Sequence, residues 1–168
     1  MNFKLLLKKR WVKITLEVLL FVVLYMVLRA YMQRDMVSGV APPIQATTIQ
    51  QQNFNLATSQ PKPVLVHFWA TWCGICKLEQ DSIQSLSKDY NVITIAMQSG
   101  SDEEVHAYLD EHNLNFRVIN DVEDKLVNAY GVQGVPASFI INNENKIFSS
   151  ERGYTTGWGL RLRLWFAN

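Results

Sequence analysis

Phe68-Trp69-Ala70-Thr71-Trp72-Cys73-Gly74-Ile75-Cys76-Lys77 contains both cysteines of this 168-residue chain. On its N-terminal side, Val64–Trp69 is nearly continuous apolar sequence, which predicts a strand buried on both faces of a mostly parallel sheet. On its C-terminal side, Ile83, Leu86 and Tyr90 recur at helical spacing and predict a helix over 76–89. The C-x-x-C therefore falls where a strand ends and a helix opens. Free amides and the positive end of the helix dipole stabilise a thiolate there, lowering its pKa from about 8.5 toward neutrality. Two intervening residues let Cys73 face solvent while Cys76 turns inward on the first helical turn. Cys73 is the expected attacking thiolate, Cys76 the expected resolving thiol, and the pair a redox-active disulfide.

Other uses of a cysteine pair fit less well. A disulfide scaffold needs several cysteines at scattered positions. A zinc site needs two further Cys or His ligands, and His67, His106 and His112 show no paired spacing. Two thiolates suit Cu(I), so a Cu(I)-binding protein is the rival from another class, although no third cysteine or methionine cluster lies beside them. Nothing resembles the usual peroxide-binding residues of a peroxidase. The net charge of +1 gives no bulk case for nucleic acid or an acidic partner. No cofactor or metal is expected.

Strand and helix signals alternate outward from the motif. Val92–Met97 predicts a second buried strand. Ser101-Asp102-Glu103-Glu104 has the form of a capping box before Val105 and Leu109. Arg117–Ile119 predicts a third strand, and Asp121 a cap for a helix carrying Leu126, Ala129 and Tyr130 that Gly131 ends. Ala137–Ile141 and Lys146–Glu151 predict a hairpin turned by Asn142-Asn143-Glu144-Asn145. The tail from Leu160 to Trp165 alternates like a strand, yet Trp158, Leu162 and Trp165 also fit one helical stripe. The expected fold over 63–168 is an α/β sandwich with a mixed sheet closed by an antiparallel hairpin.

Residues 1–13 form a basic flank with Lys4, Lys8, Lys9, Arg10 and Lys13. Residues 14–32 are mostly apolar and long enough for a transmembrane anchor. Trp11 and Tyr31 sit at the two ends, where amphipathic rings favour the interface. The basic excess puts the N-terminus in the cytoplasm and the remainder outside. A cleaved signal peptide is the alternative, but Pro42 directly after Ala41 obstructs cleavage at the small residues Ser38–Ala41. Residues 33–62, rich in Gln, Thr, Ser, Ala and Pro, predict a linker that buries no core of its own. Phe54 and Leu56, alternating with Asn53 and Asn55, suggest a short edge strand within it.

The run Phe68–Cys76 resembles the thioredoxin superfamily. Cys76-Lys77-Leu78-Glu79 further resembles its TlpA-like branch, and with Ala96-Met97-Gln98-Ser99-Gly100 and the Trp158–Trp165 tail the chain looks like the suppressor-for-copper-sensitivity protein D group. The resemblance implies a thioredoxin-like three-layer sandwich. It also implies a cis peptide before Pro136, in Gly134-Val135-Pro136, lying against the cysteine pair. A cis X-Pro bond costs little beyond trans, and Val135's backbone would then be free to pair with a bound substrate strand. Trp72, beside Cys73, is the expected substrate contact, and Trp69 a core residue. Three departures stand out. Ile75 replaces the proline of ordinary thioredoxins. His67 replaces their buried acid, and is either a proton relay or a neutral strand residue with one satisfied nitrogen. Asp81 stands where many TlpA-like chains have a kinking proline, leaving the helix straighter or reshaped. Glu79 is expected to be a solvated residue near the helix N-terminus.

The function implied is a thiol–disulfide oxidoreductase on the periplasmic face of a bacterial inner membrane. Its partners would be exported protein thiols or disulfides and a membrane electron-transfer protein. A reductant linked to copper tolerance or oxidative protein folding is expected, with a disulfide-forming oxidant as the alternative.

Overall fold

The computed structural model describes residues 3–167. Contacts divide the chain into two units, one ending at Arg34 and the other beginning at Asp35. The first is the helix α1, Phe3–Gln33. Its Trp11–Leu28 window has a mean hydropathy of 2.2 and none of it is buried, so by length and composition it is a candidate membrane span.

The second unit begins with a small antiparallel pair, β1 (Gln45–Thr47) and β2 (Asn53–Asn55), in which Ala46 opposes Phe54. The main elements follow: β3 (Val64–Trp69), α2 (Gly74–Asp89), β4 (Asn91–Met97), α3 (Asp102–Glu111) and β5 (Val118–Asp121). The chain closes with α4 (Lys125–Ala129), β6 (Ala137–Ile141), β7 (Ile147–Arg152) and α5 (Gly157–Phe166). The main sheet has the order β5-β4-β3-β6-β7. β3 and β4 pair in parallel, as do β4 and β5, while β6 runs antiparallel to β3 and β7 antiparallel to β6. This is the expected thioredoxin-like mixed sheet, with β3 at its centre.

Every residue of β3, β4 and β6 is buried, as their continuous apolar runs require. Phe68, Tyr130 and Phe139 meet in one aromatic cluster with ring centroids 5.0–5.7 Å apart. The Tyr130 hydroxyl donates to the Pro42 carbonyl at 2.9 Å, so its polar end is satisfied inside the core.

The predicted linker is the main correction. Met36, Ala41, Ile44, Ile49, Phe54 and Leu56 are all buried in the same core as the sheet. The Ile49 amide donates to the Val118 carbonyl (2.8 Å) and the Ala41 amide to Asn145 (2.9 Å). Lys62 donates to the Leu56 carbonyl (2.9 Å) and to Asn145 Oδ1 (2.7 Å). The apolar residues stand singly among Gln, Thr and Asn, so they build no core alone. Each instead buries on a sheet that other residues supply. The suggested edge strand exists as β2, paired to β1 and not to the main sheet.

The tail is helical. Thr156 Oγ1 accepts the Gly159 amide at 3.1 Å as the cap of α5, and Leu160, Leu164 and Ala167 are buried. The buried stripe is therefore not Trp158–Leu162–Trp165, which faces outward. α5 packs close to α2: a Cβ on Gly157 would lie 2.9 Å from Ser82 Oγ. The capping box of Ser101 and Glu104 is present. Asp121 caps α4 from the end of β5, its Oδ2 accepting the amides of Leu126 and Val127 at 2.9 Å each. α2 runs unbroken through Asp81.

Gly131 has φ +64°, and a Cβ there would lie 1.9 Å from the Asp35 carbonyl oxygen. The neighbouring Val37 amide donates to Tyr130 O at 3.2 Å. Gly131→Ala must adopt the left-handed region, at about 1–2 kcal/mol, and also push backbone apart. Gly153, at φ +85° with open space around its Cβ position, carries the conformational cost alone. Denaturant unfolding should show Gly131→Ala losing at least about 1 kcal/mol more than Gly153→Ala. Equal losses would show that no close approach exists at Gly131.

Candidate active site

β3 delivers its last residues to the N-terminus of α2, and Cys73 is the residue that caps that helix. Its sulfur occupies the place of the usual capping oxygen and accepts the Cys76 amide at 3.1 Å. Cys73 and Cys76 are joined in a disulfide with their Cα atoms 5.3 Å apart. The two are almost equally buried, at 6% and 4% exposure. The expectation that Cys73 stands open to solvent does not hold in this oxidised form. The exposed surface is instead made by Trp72, Ile75 and Leu78 around it.

The Val135–Pro136 peptide is cis. The Val135 carbonyl oxygen lies 3.6 Å from Cys73 Sγ, so the loop 134–136 crosses the disulfide. Val135 is half-buried, and among the described residues its amide and carbonyl take part in no backbone hydrogen bond. The Pro136 carbonyl accepts the Gly153 amide at 2.8 Å, which ties the loop to the chain leaving β7.

Two further loops hold the motif. Trp72 is 60% exposed, but its indole Nε1 donates to the Gln98 carbonyl at 2.9 Å. Gln98 sits at φ +46° and donates through Nε2 to Asp124 Oδ2 at 2.9 Å. The Thr71 amide donates to Ser99 Oγ at 3.1 Å. Gln98 and Asp124 are absent from the sequence-derived site, since neither carries a spacing signal and only the topology brings the ends of β4 and β5 beside Trp72. Trp69 is core, with its indole donating to Thr94 Oγ1 at 3.1 Å.

Beneath the surface lies a polar pair that sequence placed only in part. His67 is buried in β3, with Nδ1 2.9 Å from Ser138 Oγ and Nε2 4.0 Å from Glu79 Oε2. Glu79 is 1% exposed, not solvated, and its Oε1 accepts the Thr155 amide. The signal for this was available: Glu79 falls on the same helical stripe as Cys76, Ile83 and Leu86, all buried. Burial lowers the His67 pKa to about 3, so the ring is neutral at ordinary pH. Burial also raises Glu79 to about 7, against the opposing effect of the Thr155 amide. The two are therefore no ion pair at neutral pH, and Glu79 is the member able to exchange a proton there. Among the described residues no three His, Cys, Asp or Glu side chains gather to hold a metal ion.

The two titrations have opposite signs. Glu79, raised in the folded state, favours folding fully below about pH 4.3, and that contribution is lost as pH climbs through about 7. His67, lowered to about 3, contributes above about pH 6.5 and loses that contribution as pH falls toward 3. Glu79→Gln keeps an acceptor for Thr155 but cannot ionise. Relative to the parent, it should gain about 1–3 kcal/mol between pH 5 and pH 8 in unfolding of the oxidised protein. A mutational effect that is flat with pH would show that Glu79 titrates as an ordinary surface carboxylate.

Residues 37–150 match the model of the AhpC/TSA family. A thioredoxin-like protein of Haemophilus influenzae is 31% identical over 139 residues, covering 82% of this chain and 83% of that protein. The thiol-disulfide oxidoreductase ResA of Bacillus subtilis is 28% identical over 120 residues, 69% of this chain and 67% of its own. The crystal structure of StoA from Bacillus subtilis, 22% identical, shares the fold with a TM-score of 0.65 over 76% of this chain and 98% of that one. The family match takes in both cysteines, the Val135–Pro136 loop and the sheet as far as β7, and the chain therefore belongs to the AhpC/TSA family, within the thioredoxin-like superfamily, as a thiol–disulfide oxidoreductase.

Proposed function

We propose that this protein is a membrane-tethered reductant of disulfides in exported proteins. The observation that carries the exchange chemistry is the Cys76 amide aimed at the Cys73 sulfur from the first turn of α2, while the direction, reduction, rests on the resemblance to the TlpA-like branch. In the reduced protein that amide and the helix dipole favour a thiolate on Cys73. The Cys73 thiolate attacks one sulfur of a substrate disulfide, forming a mixed disulfide and releasing the other sulfur as a thiolate. Cys76, deprotonated, then attacks Cys73 Sγ, which breaks the mixed bond, releases the second substrate thiol and closes the Cys73–Cys76 disulfide. Two electrons and two protons from a membrane electron-transfer protein reset the pair.

The remaining residues have roles in this sequence. Trp72 offers an exposed aromatic face beside the nucleophile, held by Gln98. Val135 presents an amide without a backbone partner to an extended substrate strand, and Pro136 keeps its own position clear of a competing amide. The proton that Cys76 must lose passes to the buried His67–Glu79 pair, with Glu79 as the group whose pKa of about 7 suits the exchange.

The N-terminal basic flank and the unburied apolar helix support an anchor in the bacterial inner membrane, with the N-terminus cytoplasmic and residues 35–168 periplasmic. The resemblance of Ala96–Gly100 and the C-terminal tail to the suppressor-for-copper-sensitivity group supports a place in copper tolerance. An oxidant differs from a reductant only in potential.

Three measurements test the reading. Cys76→Ala should accumulate mixed disulfides with exported proteins, while Cys73→Ala should form none. The Cys73–Cys76 couple should lie near the thioredoxin value of about −270 mV, and a value near −120 mV would make the protein an oxidant. A C-terminal reporter should be active only on the exported side. If neither variant alters thiol exchange and both lose copper tolerance, Cu(I) capture replaces the reductase reading.

A further inference from the structure

Helix α5 has two apolar sides, and the fold uses only one of them. Leu160, Leu164 and Ala167 are buried against the domain. Trp158 (84% exposed), Leu162 (56%), Trp165 (65%) and Phe166 (60%) line the other side. Their spacing of i, i+4, i+7 and i+8 makes them one stripe, and the Trp165 and Phe166 rings lie 4.8 Å apart. A contiguous aromatic patch of this kind marks an interaction surface.

The charges around the stripe narrow the occupant. α5 contains no acidic residue, and its two arginines are both turned sideways. Arg161 pairs with Asp89 at 2.7 Å and lies over the Tyr90 ring. Arg163 pairs with Glu151 at 2.9 Å. The outward surface is thus aromatic, uncharged and flanked by neutralised cations. That is the chemistry of a helix lying in a bilayer interface, where Trp rings settle at headgroup level.

Chain length supplies the second argument. The apolar window of α1 ends at Leu28, the helix continues to Gln33, and the folded unit begins at Asp35. At about 1.5 Å per residue, Leu28 to Gln33 spans about 8 Å, comparable to one headgroup layer. In an anchored chain, residues 35–168 are therefore tethered within a few residues of the lipid surface. At such proximity a patch too weak to bind membranes from solution is enough to stay docked.

We propose that the outer face of α5 lies in the headgroup region of the membrane that holds α1, an inference that rests on the anchor reading of α1. The docked surface is lipid, bound through aromatic and apolar contact and not through ionic attraction. α5 packs on α2, the helix whose first turn carries Cys73 and Cys76. Docking therefore sets the height of the redox pair above the bilayer and presents it to an electron donor in the same membrane.

The test uses the full chain at one copy per phosphatidylcholine nanodisc, with hydroxyl-radical footprinting read by mass spectrometry. Trp72, 60% exposed, is the internal reference for Trp158 and Trp165, at 84% and 65%. Trp158 and Trp165 should be oxidised at least about fivefold more slowly than Trp72, with no change at high salt. Trp158→Ser/Leu162→Ser/Trp165→Ser should restore free oxidation at Phe166. Incorporated chain whose Trp158 and Trp165 oxidise as fast as Trp72 overturns the inference and leaves the anchor standing. Protection seen only in discs holding two copies replaces lipid with a second copy of this chain. A chain that does not partition into discs overturns the anchor reading and the inference with it.

Discussion

Burial of β3 at the centre of the sheet is the constraint on which the rest of the molecule depends. Val64–Trp69 is paired in parallel with β4 on one side and antiparallel with β6 on the other, and every residue is buried. A strand hydrogen-bonded on both edges cannot slip register without breaking two ladders at once and swapping its side chains between two packed faces. Its C-terminal end is therefore a fixed point. Cys73 inherits that rigidity as the cap of α2, and the parallel β3–α2–β4 crossover brings the loop after β4 beside Trp72. The antiparallel partner β6 begins at Ala137, directly after the loop that crosses the disulfide. One strand thus positions the sulfur, the aromatic beside it and the proline loop above it.

The same central strand carries the least comfortable residue in the core. His67 is held neutral by its burial in the sheet, where its ring faces Ser138 and, at 4.0 Å, the Glu79 carboxyl. Glu79 approaches from α2 and is pushed toward protonation by the same desolvation. In the proposed mechanism this pair is the proton exchanger for Cys76. A carboxyl with a pKa near neutrality, one helical turn from Cys76, can take up and return a proton without a large driving force.

Sequence made much of this legible because the informative features are local. The apolar continuity of β3 and β4, the C-x-x-C at a strand-to-helix junction, the capping box at Ser101 and the stop at Gly131 all depend on neighbours within a few residues. The solvated position expected for Glu79 is not the one it takes, although its stripe with Cys76, Ile83 and Leu86 is readable, since a carboxylate on the first turns of a helix is ordinarily solvated. The linker expectation for residues 33–62 fails for a different reason. Apart from the Phe54–Leu56 alternation the segment's apolar residues are too sparse to show a period, and only the presence of a finished sheet gives Ile44, Phe54 and Leu56 something to bury against.

The amino-acid sequence by itself determined the strand–helix frame, the cysteine pair and its place at a helix start, and an apolar helix long enough to span a membrane. Periodicity and capping act over one or two turns, so they survive without knowledge of the fold. Tertiary structure alone decided which side of α5 is core, that Gln98 and Asp124 brace Trp72, and that His67 and Glu79 meet in the interior. These depend on contacts between residues far apart in the chain. Burial, and with it the pKa of Glu79 and the neutrality of His67, is a property of everything packed around a group and is written in no single stretch of sequence.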